Sequence, residues 1–214
     1  MRKIIAIQIA GTLSQTSKMP CKSFGLPTST CNVGARLRGI PGSSCVGRYA
    51  DKGFYKLYPT VSASQEKRLN LLNEALADAI KAREWLDAIQ ALIGTDEYFR
   101  FHDSGDIFSE RYASLIWQVA IENPTVQFWI PTKESALVRA CIAKWGHPDN
   151  LIIRLSMPMV DQAPTESHGM NTSTIHRFQE SHGFECGAPS RGGYCGDCRA
   201  CWNKDVKNVS YKYH

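Results

Sequence analysis

No apolar run in this 214-residue chain is long enough to cross a bilayer as a helix. The opening stretch Lys3-Ile-Ile-Ala-Ile-Gln-Ile-Ala-Gly11 offers roughly eight such residues where a span needs about 20. It also lacks the cleavage site of a secretory leader and reads as a β-strand. No low-complexity tract argues for disorder, and no similarity recurs at a solenoid period. Neither sign of charge forms a stripe, although Lys and Arg (25) outnumber Asp and Glu (20). The resulting +5 charge permits weak attraction to nucleic acid, but scattered basic residues describe a solvated surface better than a polyanion track. With no export signal, the expected compartment is a reducing cytoplasm, where disulfides are not expected.

The chain has an ordinary globular composition, 43% hydrophobic and 21% charged, and enough length for one sizeable core. What stands out is the cysteine placement. Four of the eight cysteines fall between Cys186 and Cys201, and Cys195, Cys198 and Cys201 recur every third residue among glycines. Two overlapping Cys-x-x-Cys steps bring three sulfurs to one side of a tight loop. Cys186, reached through Pro189 and Gly192-Gly193, supplies a fourth. Such spacing suits tetrathiolate zinc or a cubane iron–sulfur cluster better than disulfides.

The rest of the chain reads as alternating elements. Residues 12–60 form a long Ser-, Thr-, Gly- and Pro-rich loop carrying Cys21, Cys31 and Cys45; a loop of that length in a compact domain usually serves function. Leu69, Leu72, Leu76, Ile80, Leu86, Ile89 and Ile93 recur at helical steps from Ser62 onward, with Ser62 and Gln65 in a capping-box pattern; two helices broken near Lys81 to Arg83 fit as well as one. Glu97 to His102 reads as a strand, Ser109 to Glu122 as a helix, Val126 to Ile130 as a strand, Lys133 to Trp145 as a helix and Leu151 to Leu155 as a strand. That alternation predicts βαβ units, hence an α/β protein with a partial parallel barrel or an open parallel sheet. Residues 1–160 are the expected core and 161–214 an irregular, cysteine-rich, cluster-binding segment packed on it, with the tail from Val206 adding a short edge strand.

Parallel α/β folds gather ligand sites at the C-terminal ends of their strands, which makes His102, Asp103 and Asp106 candidate acid/base residues. The alternative is that Asp103 and Ser104 shape a turn while Asp106 starts a helix. Arg154 is a candidate partner for these carboxylates, though a lone basic residue there is more often structural. His168, His176 and His182 have no metal-like spacing, and Cys141 falls on the apolar face of a helix as a small hydrophobe.

The segments Lys18-Met19-Pro20, Ser23 to Pro27, Cys31, Pro41 to Cys45, Tyr49-Ala50, Gly53, Tyr55, Phe99 to Asp106, Phe128 to Thr132 and Cys195 to Trp202 together resemble the gene product 88 family of phage and prophage proteins. That resemblance implies a protein of the host cytoplasm with an iron–sulfur cluster, [4Fe-4S] or [3Fe-4S], as cofactor. Cys45-x-x-Arg48-Tyr49-Ala50 also resembles, more weakly, the Cys-x-x-Cys-Tyr signature of radical S-adenosylmethionine enzymes. Arg48 replaces a thiolate there, and a guanidinium cannot ligate iron, which opposes S-adenosylmethionine as a ligand.

The expectation is therefore a redox-active iron–sulfur protein ligated by Cys186, Cys195, Cys198 and Cys201, served by an electron donor or host protein. Cys31 and Cys45 are candidates to complete the centre from across the fold. The alternative is a non-enzymatic module, stabilised by zinc or a cluster, that binds host protein or nucleic acid.

Overall fold

The computed structural model describes residues 1–214 except 17, 47–57, 166, 168 and 214. Its elements, in chain order, are α1 (Lys3–Ala10), β1 (Ser14–Gln15), β2 (Lys22–Phe24), α2 (Asn32–Leu37), α3 (Pro59–Ala77), α4 (Ala79–Ile93), β3 (Tyr98–Phe101), α5 (Glu110–Glu122), β4 (Gln127–Thr132), α6 (Ser135–Trp145), β5 (Leu151–Val160), β6 (Asn171–His176), β7 (Phe184–Glu185) and β8 (Asn208–Lys212). The eight strands form one sheet in the order β1-β2-β3-β4-β5-β6-β8-β7. Every pairing is parallel except β1 with β2. Among the described residues no helix is long and apolar enough to cross a membrane.

Strand alternation separates the two faces of this sheet. Phe99, Phe101, Phe128, Ile130, Leu151, Ile153 and Leu155 point into the main core, where they meet Trp85, Ile89 and Ile93 of α4, Ile116 of α5 and Val138 of α6. The intervening residues Tyr98, Trp129 and Arg154 face the other way. Among the described residues no α-helix covers that second face. Trp129 instead packs with Trp202, Cys21 and Met19 in a smaller cluster.

The opening apolar run is a helix and not the expected strand. Ala6 and Ala10 are fully buried while Ile4 is 74% exposed. Two alanines four residues apart make a narrow stripe on which α1 lies close to α4, and periodicity cannot separate a short apolar strand from such a helix. Residues 12–46 hold two short strands, α2 and a 3-10 turn at Thr28–Thr30, where the sequence suggests only loop.

The long helical stretch starts earlier than the Ser62 capping pattern indicates, with Pro59 in its first turn and no side-chain cap. It breaks at Asp78, whose carboxylate accepts from the Ile80 and Lys81 amides, three residues before the anticipated point. Beyond Met157 the chain is more regular than its composition implies, because β5 continues to Val160 and β6 and β8 are inner strands of the sheet. Their polar side chains pair across the ladder: Thr172 Oγ1 with Asn208 Oδ1 at 2.8 Å, Asn208 Nδ2 with Thr174 Oγ1 at 2.9 Å, and His176 Nδ1 with Ser210 Oγ at 2.8 Å.

Candidate functional site

Two regions receive the residues singled out above. The first is the C-terminal edge of β3 and β4. His102 is 2% exposed, holds a positive φ of 58°, and places Nε2 2.9 Å from the Tyr112 hydroxyl; its Nδ1 is buried with no hydrogen-bond partner among the described residues. Burial, and then the charge of Arg100, push its pKa down to about 3, so it is a neutral core imidazole at ordinary pH.

Asp106 is 6% exposed. It accepts from the Thr132 hydroxyl at 2.6 Å, the Ile107 amide at 2.8 Å and the Lys133 amide at 2.9 Å. Burial raises its pKa to about 6, and these three bonds counter part of that rise. Gly105, between them, has a φ of +79°, and a Cβ there would lie 2.7 Å from both Leu26 Cβ and Thr30 Oγ1. Glu134, 8% exposed, accepts from the Val33 amide at 2.8 Å. These bonds tie the 26–33 loop to the ends of β3 and β4.

Cys31 lies in this loop, at the start of α2, and Cys45 lies in the turn whose Ser44 hydroxyl bonds the Met157 and Pro158 carbonyls. Asp103 instead borders a cavity near Arg100 and Arg68. Arg48 and His168 lie outside the described residues.

The second region is the non-helical face of the sheet. Between Cys186 and Cys201 the chain turns at Gly192, Gly193 and Gly196, all with positive φ, and comes back over β3, β4 and β5. Trp202 anchors it. Its Nε1 donates to the Phe99 carbonyl at 2.9 Å, and its ring meets Trp129 and Tyr98 edge-on.

Arg154 fastens the rest. It is fully buried, within β5, and donates to five backbone carbonyls: Cys201 at 3.0 Å, Thr172 at 3.3 Å, Val206 at 2.9 Å, Ala200 at 2.7 Å and Asn203 at 2.9 Å. It serves no carboxylate of the strand-end turn. Arg191 donates to the carbonyls of Tyr194 and Cys195, and Arg199 to those of Gly196 and Cys198. Arg100, whose guanidinium lies 4.4 Å from the Trp129 ring centre, adjoins them. Among the described residues none of these four arginines makes an ion pair.

None of the eight cysteines is in a disulfide. Cys201 Sγ sits 3.1 Å from the Tyr211 hydroxyl; burial pushes its thiol up to about 11, with the Tyr211 bond opposing. Burial also raises Cys195, and the neighbouring Cys186 and Cys198 thiols add to the rise. A fifth thiol, Cys21, packs on Trp129 and Trp202 and is pushed up to about 12, first by burial. Composition gave no reason to join Cys21 to the C-terminal segment. The only signal was its place just before β2, the neighbour of β3. Cys141 is a fully buried core residue, as expected.

In donor chemistry the segment matches a tetrathiolate centre, and unpaired guanidinium groups around it suit an anionic one. As the side chains stand, no three His, Cys, Asp or Glu among the described residues form a group that could hold a metal ion. One further constellation escapes sequence reading: Ser210, His176 and Glu185 lie in line, at 2.8 Å and 3.6 Å. Ser210 is fully buried, so no substrate reaches its hydroxyl.

These features define a mostly parallel α/β protein whose strand-end turn ties neighbouring loops together and whose second sheet face carries a clamped cysteine segment. A model of the family described as Gene product 88 matches residues 3–204. The chain belongs to that phage gene-product family. The match lends no support to a likeness with radical S-adenosylmethionine enzymes. No curated protein and no solved structure matches the chain.

Two measurements check these assignments. Arg154→Lys keeps the charge but cannot reach five carbonyls, so it should destabilise the fold by about 3 kcal/mol or more in chemical denaturation. A loss under about 1 kcal/mol would show that the clamp is dispensable. For His102 the sign follows from its depressed pKa. The unfolded chain binds a proton below about pH 6.5 and the folded chain only near pH 3, so stability is full above 6.5 and is lost as pH falls. Asp106, shifted the opposite way, works against it between its two pKa values. In His102→Asn, the wild-type advantage should therefore shrink by up to about 1.4 kcal/mol per pH unit from pH 6.5 towards 3. Parallel pH profiles would contradict the assignment.

Proposed function

We propose that this is a phage-encoded protein that holds an iron–sulfur cluster on Cys186, Cys195, Cys198 and Cys201 and works as a redox protein in the host cytoplasm. The observation that carries the reading is a charge imbalance. Four guanidinium groups, those of Arg100, Arg154, Arg191 and Arg199, surround or fasten a four-thiol segment, and none of them is paired with a carboxylate among the described residues. Of these Arg154 is fully buried and Arg100 and Arg199 are part-buried, and carbonyl bonds satisfy N–H groups of each without neutralising its charge. Thiolates bound to a cluster would supply the missing negative charge.

Iron is favoured over zinc by the Cys-x-x-Cys-x-x-Cys run, which is ferredoxin-like. When bound, such a cluster supplies one-electron transfer. The protein's own residues do the rest. Arg154 and Arg199 hold the backbone of Cys201 and Cys198, Trp202 and Trp129 keep water from one side, and the Tyr211 hydroxyl, 3.1 Å from the Cys201 sulfur, would donate to it once that sulfur is a bound thiolate. Closing the ligand set requires the Cys186, Cys195 and Cys198 side chains to turn towards Cys201. The three glycines with positive φ and the partial exposure of these thiols leave room for that.

The test is iron, zinc and acid-labile sulfide analysis with electron paramagnetic resonance on anaerobically purified protein. Wild type should be brown, with broad absorption near about 400 nm, and Cys198→Ala should lose most of its iron and sulfide. Colourless protein with one stoichiometric zinc would overturn the redox reading and leave the segment as a zinc-bound staple.

A further inference from the structure

We infer that the chain has a second site, separate from the thiols, that binds the phosphate group of a small phosphorylated molecule. A cavity of about 830 Å³ opens between the β1 segment, the first turn of α3 and the second face of the sheet, with Arg100, Arg68, Lys18 and Asp103 among its walls. That volume suits a metabolite of nucleotide size.

Among the described residues three cations line it against a single carboxylate. Arg68 is committed to the structure: it is 2% exposed and donates to the Gly25 carbonyl at 2.6 Å and the Thr12 carbonyl at 2.8 Å. Arg100 and Lys18 are not so committed. Among the described residues Arg100 donates only to the Met19 sulfur at 3.3 Å and the His102 carbonyl at 3.2 Å. Lys18 is exposed, makes no ion pair among the described residues, and lays its side chain along Gly193 with the ammonium 5.7 Å from the Tyr194 ring centre.

A part-buried guanidinium that lines the cavity, with an exposed ammonium on the same wall and neither in an ion pair among the described residues, is the donor set an oxyanion takes up. The neighbouring surface adds to it. Thr12, Ser14 and Thr60 bring hydroxyls, while that of Ser64 donates to the Thr60 carbonyl at 2.8 Å, and α3 presents its N-terminal end there with no side-chain cap and no acidic residue in its first turn. Several hydroxyls and a point-charge lysine beside a fork-shaped guanidinium favour a tetrahedral phosphate over a planar carboxylate. Leu13, Met19 and Val61 leave apolar wall for the remainder of the ligand.

Arg100 and Lys18 also adjoin the cysteine segment, so full-length protein is tested in both metal-loaded and metal-free form. Calorimetric titration should use inorganic phosphate, adenosine monophosphate and adenosine at low ionic strength. Phosphate and the monophosphate should bind and compete with each other, and adenosine should bind at least about tenfold more weakly than the monophosphate. Arg100→Gln and, as the variant on an exposed side chain, Lys18→Gln should each weaken the monophosphate by about tenfold or more, with Arg100→Lys intermediate. Lys204→Gln, outside the cavity wall, should change nothing. The inference fails if inorganic phosphate shows no binding up to about 5 mM, if adenosine equals its monophosphate, or if Lys18→Gln binds as the wild type does.

Discussion

The buried guanidinium of Arg154 is the interaction on which the non-helical face depends. A charge taken from water into a sheet costs several kcal/mol, and here the return comes from five carbonyls, four of them in the stretch Ala200 to Val206. Those carbonyls have no regular ladder to join, since the chain there forms only a 3-10 turn and bends. One side chain thus satisfies acceptors that would otherwise be buried and unpaired, and the same bonds fix where Cys201 and Trp202 sit. The sheet supplies the donor, the irregular segment supplies the acceptors, and each needs the other. Trp202, seated on Trp129, then closes the small cluster that also takes in Cys21.

This arrangement divides labour between the two regions that sequence patterns single out. The strand-end turn His102 to Asp106 has the residue types of an acid/base site, yet the Asp106 carboxylate is occupied by three donors and His102 is a neutral ring against Tyr112. Those bonds knit loops together at the edge where a parallel sheet would ordinarily present its ligand site. The chemistry-bearing groups, thiols and unpaired guanidiniums, gather on the open face instead. Arg100 stands where that face meets the cavity beside β1, so its charge reaches both the thiols and the cavity wall.

How much of this could be read from the sequence depends on what kind of contact decides each element. From β3 to the first half of β5, apolar side chains decide, and alternation or helical spacing revealed strand and helix types correctly. The Lys3 to Gly11 run failed because its helix is selected by a contact of Ala6 and Ala10 with α4, invisible in a short run of isoleucines. β6 was missed for the opposite reason: Asn171-Thr-Ser-Thr174 has no apolar signature, and its burial is made possible by side-chain bonds to Asn208 and Ser210 some 34 to 36 residues away. That Cys186, Cys195, Cys198 and Cys201 share one glycine-turned segment was legible from their spacing. The role of Arg154 was not, because its partners are backbone carbonyls and carry no sequence identity, and the approach of Cys21 follows from strand order that only the sheet reveals.

The most direct measurement of the central claim, that four thiols on the Arg154-clamped segment act as one ligand set, is differential alkylation read cysteine by cysteine by mass spectrometry. Anaerobic protein is labelled with and without prior chelation or oxidative loss of the bound metal. The account predicts that Cys186, Cys195, Cys198 and Cys201 are protected together and become reactive together, while Cys31, Cys45 and Cys141 do not change. Independent reactivity of the four thiols, unaltered by metal removal, would contradict it.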